Sequence, residues 1–162
     1  QARAWNRGQC GLHIHVSAAS ASWGTWGKVD RFFQNTDNQR LLDLVAGRPA
    51  NQYCNRKQTP YIAAHKITEA KKKTRSDRYQ ALNFSTGKPT VEFRLFRGNV
   101  SYEGLVRCMQ FCDSLIEWAS EQSISSQMHS LAYVQWLYQN RGRYPILVKY
   151  LRVGQLQQEE AA

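Results

Sequence analysis

Acidic residues are scarce in this 162-residue sequence, and the first 29 residues contain none; the first acid is Asp30. Over the whole chain, 22 Lys and Arg face 12 Asp and Glu, which gives a net charge of +10 at neutral pH. Such an excess of positive charge favours anionic partners, whether nucleic acid, nucleotide phosphates, an acidic protein or an acidic substrate. It does not choose between them, and it also fits a basic surface that serves solubility alone.

Long apolar runs and paired cysteines are lacking too. No apolar run approaches the roughly 18 residues that a membrane-spanning helix needs, so we expect no membrane span. The four cysteines form no Cys-x-x-Cys pair, which argues against a zinc ribbon or a thioredoxin-like motif. Cys108 and Cys112 lie four residues apart on a predicted helix, where small buried side chains are expected. We therefore expect reduced thiols in a cytoplasmic protein.

Two segments alternate between apolar and polar residues, and each predicts a half-buried strand. Residues 11–17 read Gly-Leu-His-Ile-His-Val-Ser, and residues 90–97 read Thr-Val-Glu-Phe-Arg-Leu-Phe-Arg. The polar face of the second strand is expected to carry Glu92, Arg94 and Phe96.

The rest of the chain is predicted to be mainly helical, with the first loop at residues 18–27. The predicted helices cover residues 28–35, 37–45, 102–121, 125–140 and 144–152, with further strands at 61–67 and 79–85 and a basic loop at 69–78. The long helix should bury a stripe made of Leu105, Met109, Cys112 and Ile116. Neither a repeat nor a shift in composition divides the chain. It is predicted to form one α+β domain over residues 1–153, an antiparallel sheet backed by helices, followed by a polar tail at 154–162.

Ionisable side chains occupy alternate positions on both clear strands. Residues two apart on a strand share a face, so His13 and His15 should converge with Glu92 and Arg94 if the strands lie in one sheet. Imidazole and carboxylate suit a divalent cation, and a guanidinium suits a phosphate or carboxylate. Together these groups are the minimal apparatus of phosphoryl transfer. The alternatives are a solvated pair of histidines and a cross-strand salt bridge.

Three sequence blocks resemble the amidoligase family, carboxylate–amine ligases of phages and bacteria with the glutamine-synthetase catalytic fold. The blocks are Cys-Gly-Leu-His-Ile-His-Val-Ser at 10–17, Arg-Tyr-Gln-Ala-Leu-Asn-Phe at 78–84 and Thr-Val-Glu-Phe-Arg-Leu-Phe-Arg-Gly-Asn at 90–99. Their order and spacing agree with the family over roughly residues 7–152, which would be the C-terminal half of such a catalytic domain. The third block is the most specific and also resembles glutamine synthetase itself.

The resemblance implies a reaction and a set of site residues. The implied reaction is ATP- and Mg²⁺-dependent: ATP phosphorylates a carboxylate substrate, and an amine displaces the phosphate to form an amide. The implied roles are metal binding for His13 and Glu92, contact with the nucleotide phosphates for His15, contact with the transferred phosphoryl group for Arg94, and supporting positions for Arg78 and Asn83. Oligomer formation is left open.

The first 29 residues of this chain lack acids, whereas the domain of this family opens with a strand that bears a Glu-x-Glu pair. No predicted strand of this chain carries such a pair, and Mg²⁺ takes oxygen ligands. Three explanations stay open: a fragment that lacks the N-terminal strand, carboxylates supplied by another subunit, or a non-catalytic basic module of the phage type that acts on nucleic acid or a host protein complex. A nucleic-acid module would use the basic residues 71–78 together with Trp23, Trp26 and Tyr53.

Overall fold

The computed structural model of the protein describes residues 11–56, 79–84, 86–98 and 101–159, with side chains described up to residue 152. Its strands are β1 (Gly11–Ser17), β2 (Leu82–Asn83) and β3 (Thr90–Arg97). Its helices are α1 (Trp23–Gln34), α2 (Gln39–Ala46), α3 (Tyr102–Glu121), α4 (Ser130–Gln139) and α5 (Pro145–Glu159), with short 3-10 turns at Ala18–Ser20 and Thr36–Asn38. The α+β prediction is confirmed. The predicted strand at 61–67 and basic loop at 69–78 lie outside the described residues.

The described strands form an antiparallel sheet in the order β1-β3-β2. β1 runs beside β3 from Ser17 opposite Thr90 to Gly11 opposite Arg97. β2 is only two residues long, shorter than the predicted strand at 79–85. β3 is therefore the central strand of the described sheet, and it pairs with β1 on one side and with β2 on the other.

The alternation of β3 is interrupted by a bulge. The register shifts between Leu12 and Ile14, so that two residues of β3 lie opposite one residue of β1. The extra residue turns Phe96 into the core, where it is fully buried, instead of leaving it beside Glu92 and Arg94. The expectation that Phe96 belongs to the polar face is wrong for this reason.

The core lies between the apolar face of the sheet and helices α1, α2 and α3. At its centre, the rings of Phe32, Trp118 and Tyr133 meet edge to face with centroid separations of 5.5 to 5.7 Å. The hydroxyl of Tyr133 lies 2.7 Å from the hydroxyl of Ser114, so this buried polar pair is satisfied.

Helix α1 begins at Trp23, inside the segment predicted to be a loop. Ser22 starts the helix because its hydroxyl accepts a hydrogen bond from the amide of Thr25 at 3.1 Å. Trp26, expected on the surface, is fully buried, and its indole N–H donates to the carbonyl of Ala18 at 2.9 Å. Trp26 is therefore unavailable to stack on an external nucleic acid.

Helix α3 has the predicted bounds, but only half of the predicted stripe meets the core: Cys112 is buried and Ile116 packs against the core. The stripe that faces the core includes Cys108, Phe111, Cys112, Leu115 and Trp118. Leu105 and Met109, which the sequence places on the buried face, are 40% and 52% exposed. The helix is apolar around more than one stripe, so periodicity alone did not decide which side meets the sheet.

The ends of the last two helices also differ from the predicted ones. Helix α4 begins at Ser130 rather than at residue 125, and His129 occupies its N-cap position. Helix α5 continues to Glu159, past the predicted end at residue 152. None of the described helices has the combination of length and apolar character that a membrane span requires.

The described cysteines are Cys54, Cys108 and Cys112, and all three are buried and free. Burial raises the pKa of the Cys108 thiol and raises that of Cys112 further. These two thiols stay protonated at neutral pH and act as small apolar side chains, as predicted.

Candidate functional site

Glu92 occupies the middle of the polar face of the sheet. It lies opposite His15 on β1 and opposite Asn83 on β2, because β3 runs between these two strands. Only 7% of its side chain is exposed. A carboxylate this deeply buried needs hydrogen-bond donors around it.

Four side chains surround the Glu92 carboxylate, and three of them, those of His13, Arg94 and Asn83, lie within hydrogen-bond distance. Its Oε1 atom lies 2.9 Å from Nδ1 of His13, 3.1 Å from Nη1 of Arg94 and 3.6 Å from Nε2 of His15. Its Oε2 atom accepts a hydrogen bond from the side-chain amide of Asn83 at 2.8 Å. Residues from all three resembling blocks thus meet at one carboxylate, and we call these five side chains the Glu92 cluster. Their catalytic roles stay predictions, and Arg78 lies outside the described residues.

The Glu92 carboxylate is ionised in this setting. Burial raises its pKa, but the hydrogen bond from Asn83 and the charge of Arg94, together with the hydrogen bond from Arg94, act in the opposite direction and prevail. The net result is a pKa below the ordinary value for a glutamate. At neutral pH the carboxylate can therefore only accept hydrogen bonds.

His13 is uncharged, and the ionised Glu92 carboxylate determines which ring nitrogen carries the proton. Burial and the charge of Arg94 hold the pKa of His13 below its ordinary value, although the Glu92 carboxylate acts against them. At neutral pH the imidazole is uncharged, so the nitrogen that faces the carboxylate, Nδ1, carries its only proton. Nε2 then has a free lone pair that can bind a metal ion or accept a proton.

The second ring nitrogen of His15 contacts another residue of β3. Its Nδ1 atom lies 3.0 Å from the hydroxyl of Thr90, and that hydroxyl lies 3.2 Å from the hydroxyl of Thr86. The ring is 39% exposed, so it borders both Glu92 and the solvent.

Arg48 is a member of this region that the sequence did not reveal. Gly47, in the left-handed conformation with φ of 68°, ends helix α2, and Arg48 follows directly. Its guanidinium donates to the carbonyls of Arg94 and Leu95 at 3.0 Å each, the two residues of the bulge. Its positive charge also lowers the pKa of His13. Because the bulge creates these acceptors, no local sequence signal could have found this contact.

Hydrogen bonds hold both the backbone and the side chain of Arg94 in place. Its amide donates to the carbonyl of Ala81 at 2.7 Å, and its Nη1 donates to Glu92. Its Nε atom is buried and has no hydrogen-bond partner within the described part of the chain. An unsatisfied buried donor costs free energy, and a bound anionic ligand that moves this side chain would remove the cost.

The Glu92 cluster lacks the ligands for the Mg²⁺ ion that the resemblance implies. Mg²⁺ prefers oxygen ligands, and the Glu92 cluster offers one carboxylate whose two oxygens already accept hydrogen bonds. Over the described ranges, no group of three or more His, Cys, Asp or Glu side chains is arranged to hold a metal ion. The described residues therefore do not by themselves fit Mg²⁺, although Nε2 of His13 could serve as one ligand.

No family model matches this chain, and no curated protein and no solved structure matches it either. The likeness to amidoligases accordingly stays a prediction that rests on the three sequence blocks.

Proposed function

We propose that this chain is an amidoligase-like domain whose polar sheet face binds the reacting anions of an ATP- and Mg²⁺-dependent carboxylate–amine ligation. The observation that carries the proposal is the Glu92 cluster itself. Residues that are far apart in the sequence, and that the resemblance singles out, lie within 3.6 Å of one carboxylate.

The charge balance of this face supports anion binding. Glu92 contributes one negative charge, whereas Arg94 and Arg48 contribute two positive charges. The whole chain, these residues included, carries a net charge of +10. Triphosphates and carboxylates are attracted to such a field.

Each side chain has a part in the proposed reaction. Arg94 contacts the transferred phosphoryl group, because a guanidinium offers two parallel donors to a phosphate. His15 lies beside the nucleotide phosphates, and Asn83 keeps Glu92 in position. The resemblance gives His13 and Glu92 a place beside a metal ion, which when bound would neutralise charge on the phosphates. The Glu92 cluster does not fit Mg²⁺ by itself, because both oxygens of Glu92 already accept hydrogen bonds and the other oxygen ligands are not among the described residues.

Nucleotide binding by the Arg94→Lys variant tests the proposal. Lysine keeps the charge but lacks the planar fork, so the affinity for ATP with Mg²⁺ should fall about tenfold or more by calorimetry. Arg97→Lys is the matched control, since Arg97 lies on the same strand and is exposed. Its affinity should stay within about twofold of the unmodified chain.

The salt-bridge alternative predicts a different pattern for the same variant. If Arg94 only balances Glu92, Arg94→Lys should mainly lower the midpoint of thermal unfolding. Additional neutralisation of Glu92 should then restore that midpoint. Unchanged ATP affinity with this pattern of stability would contradict the proposed function.

Metal dependence gives a second test. ATP with Mg²⁺ or Mn²⁺ should raise the midpoint of thermal unfolding by binding the folded state, and His13→Ala should remove that gain. We expect no ADP release by this chain with mixtures of carboxylates and amines, because one carboxylate cannot hold the ions that a triphosphate needs. Robust ADP release would show that the ligand count is wrong.

The alternative of a nucleic-acid module gains nothing from the described residues. Trp26 is buried, although Trp23 and Tyr53 are 39% and 51% exposed. The basic residues 71–78 lie outside the described part. If the basic charge binds nucleic acid, the affinity should fall steeply with salt, and neutralising Lys71, Lys72 and Lys73 should flatten that dependence.

A further inference from the structure

A cavity of about 590 Å³ lies where helix α1 ends and helix α2 begins. Its wall combines Gln34 of α1, Thr36 of the 3-10 turn and Gln39 of α2 with residues from the segment 50–56. None of the five side chains of the Glu92 cluster lines it. The cavity is therefore a separate place at which a ligand can bind.

Arg56 supplies the charge in the wall of this cavity. Only 3% of its side chain is exposed, and its Nη1 atom pairs with the carboxylate of Asp43. Its Nε and Nη2 atoms are buried and have no hydrogen-bond partner in the described part of the chain. Because buried donors are nearly always paired, two unpaired ones on a single guanidinium need an explanation.

The two unpaired atoms form one edge of the Arg56 guanidinium. The N–H groups of Nε and Nη2 lie in the guanidinium plane and point the same way. Such an edge binds the two oxygens of a carboxylate through two parallel hydrogen bonds. Since Asp43 occupies Nη1, the edge formed by Nε and Nη2 has the geometry for a second carboxylate.

The rest of the cavity wall is uncharged and bears many hydrogen-bonding side chains. Five amides and one hydroxyl line it, those of Gln34, Gln39, Asn51, Gln52, Asn55 and Thr36. The wall includes no acid. A carboxylate at Arg56 therefore meets no like charge from the wall, whereas an ammonium group would find no opposite charge there.

Two of these amides show which kind of group the wall can bind. The amide nitrogen of Gln39 donates to two backbone carbonyls near the end of α1 at 3.0 and 3.1 Å, which leaves its oxygen as an acceptor. The amide oxygen of Asn51 accepts from two backbone N–H groups at 2.8 and 3.2 Å, which leaves its nitrogen as a donor. Hydroxyl groups suit such a wall because each can donate and accept.

We propose that this cavity binds a sugar acid, with the ligand carboxylate on Nε and Nη2 of Arg56. The ligand hydroxyls donate to the amide oxygen of Gln39 and accept from the amide nitrogen of Asn51. A cavity of about 590 Å³ is large enough for a six-carbon acid. The proposal does not depend on nucleotide binding or on ligase activity, because the Glu92 cluster takes no part in it.

Calorimetry with D-glucuronate and the intact chain tests the proposal. We expect saturable binding with a Kd below about 1 mM. D-glucose keeps the hydroxylated ring and lacks the carboxylate, and cyclohexanecarboxylate keeps the carboxylate and lacks the hydroxyls. Each should bind at least about tenfold more weakly, since it leaves either the edge of Arg56 or the amides without partners.

Three variants locate the bound ligand. Gln52→Glu puts a negative charge in the cavity wall and should lower the affinity for D-glucuronate about tenfold. Gln135→Glu is the matched control, because Gln52 and Gln135 are both exposed and Gln135 lies on α4, outside the cavity. Arg56→Lys keeps the charge beside Asp43 but lacks the planar edge, and it should also lower the affinity about tenfold or more. Thermal unfolding of each variant checks that it folds, and Gln52→Glu keeps the test valid if Arg56→Lys does not.

Four outcomes would overturn the proposal. One is no saturable binding of D-glucuronate up to about 10 mM. The others are equal binding of either analogue, equal affinities of Gln52→Glu and Gln135→Glu, and unchanged affinity in a folded Arg56→Lys variant.

Discussion

Replacing Glu92 by Gln keeps the shape of the side chain and removes its charge. The change is informative because the carboxylate is 7% exposed and donors surround both of its oxygens. In the variant, one oxygen becomes an NH₂ group that faces either Asn83 or the pair formed by His13 and Arg94. A donor then meets a donor, and Arg94 loses its negative partner.

The expected cost follows from the contacts that are lost or weakened. Hydrogen bonds to a charged group contribute about 1 kcal/mol more than neutral ones, and three such bonds join Glu92 to Asn83, Arg94 and His13. Since His13 is 38% exposed, its share is smaller. We expect a loss of about 2–3 kcal/mol in the free energy of unfolding at pH 7, measured by urea denaturation.

The pH dependence of this loss has a defined sign. The pKa of Glu92 is lowered in the folded state, so its ionisation stabilises the fold above the ordinary glutamate value of about 4.3. That stabilisation is lost as the pH falls through the folded value. The difference between the unmodified chain and Glu92→Gln should therefore shrink as the pH is lowered below about 4.

Glu103→Gln is the matched control for this prediction. Glu103 is 73% exposed and lies 3.9 Å from Lys149, which is 75% exposed. Such a surface pair contributes little, and the control should change stability by less than about 0.5 kcal/mol. Equal effects of the two substitutions at pH 7 would refute the reasoning, because they would mean that the Glu92 cluster is solvated.

Three further substitutions test other parts of the fold. Burial raises the pKa of Asp30 to about 6, so the fold favours the protonated carboxyl and the free energy of unfolding falls as the pH rises from about 3.8 to about 6. Asp30→Asn should therefore stabilise the protein by about 2–3 kcal/mol at pH 7, and by clearly less at pH 4.5, in urea denaturation. Gly11→Ala should destabilise the chain, because the new Cβ would lie 3.0 Å from Nη2 of Arg48. The same change in an Arg48→Ala background should instead stabilise by about 0.4–1 kcal/mol in thermal unfolding, through the unfolded state. Ser22→Ala should cost about 1 kcal/mol by the same measurement, since it removes the N-cap of α1.

The strands and their polar face could be predicted from the sequence because strand periodicity is local. Alternate positions 13 and 15 on β1 and 92 and 94 on β3 place their side chains on one face whatever else the chain does. Antiparallel pairing then brings these side chains together, as the 2.9 Å contact between His13 and Glu92 shows. The resemblance named Asn83 as a supporting residue, but periodicity did not show that it would bind Glu92 from the far side, since β2 has only two residues.

The features that the sequence did not reveal arise from tertiary structure. A bulge cannot be read from alternating residues, so Phe96 was expected on the wrong face and the carbonyls that Arg48 caps were not foreseen. Helix α1 was missed over its first turns because small residues and glycines around Trp23 resemble a loop. Its N-cap, Ser22, and its buried Trp26 hold the helix there nonetheless.

The stripe predicted for α3 is right in its second half and wrong in its first half. Of Leu105, Met109, Cys112 and Ile116, Cys112 is 2% exposed and Ile116 packs against the core, whereas Leu105 and Met109 are 40% and 52% exposed. The helix also carries Cys108, Phe111, Leu115 and Trp118, and all four are buried. A helix gains stability by burying apolar surface, and a helix that is apolar on more than one side can meet a sheet in more than one orientation. The orientation of α3 is therefore decided by contacts with the sheet and the other helices, which the periodicity of the helix does not contain.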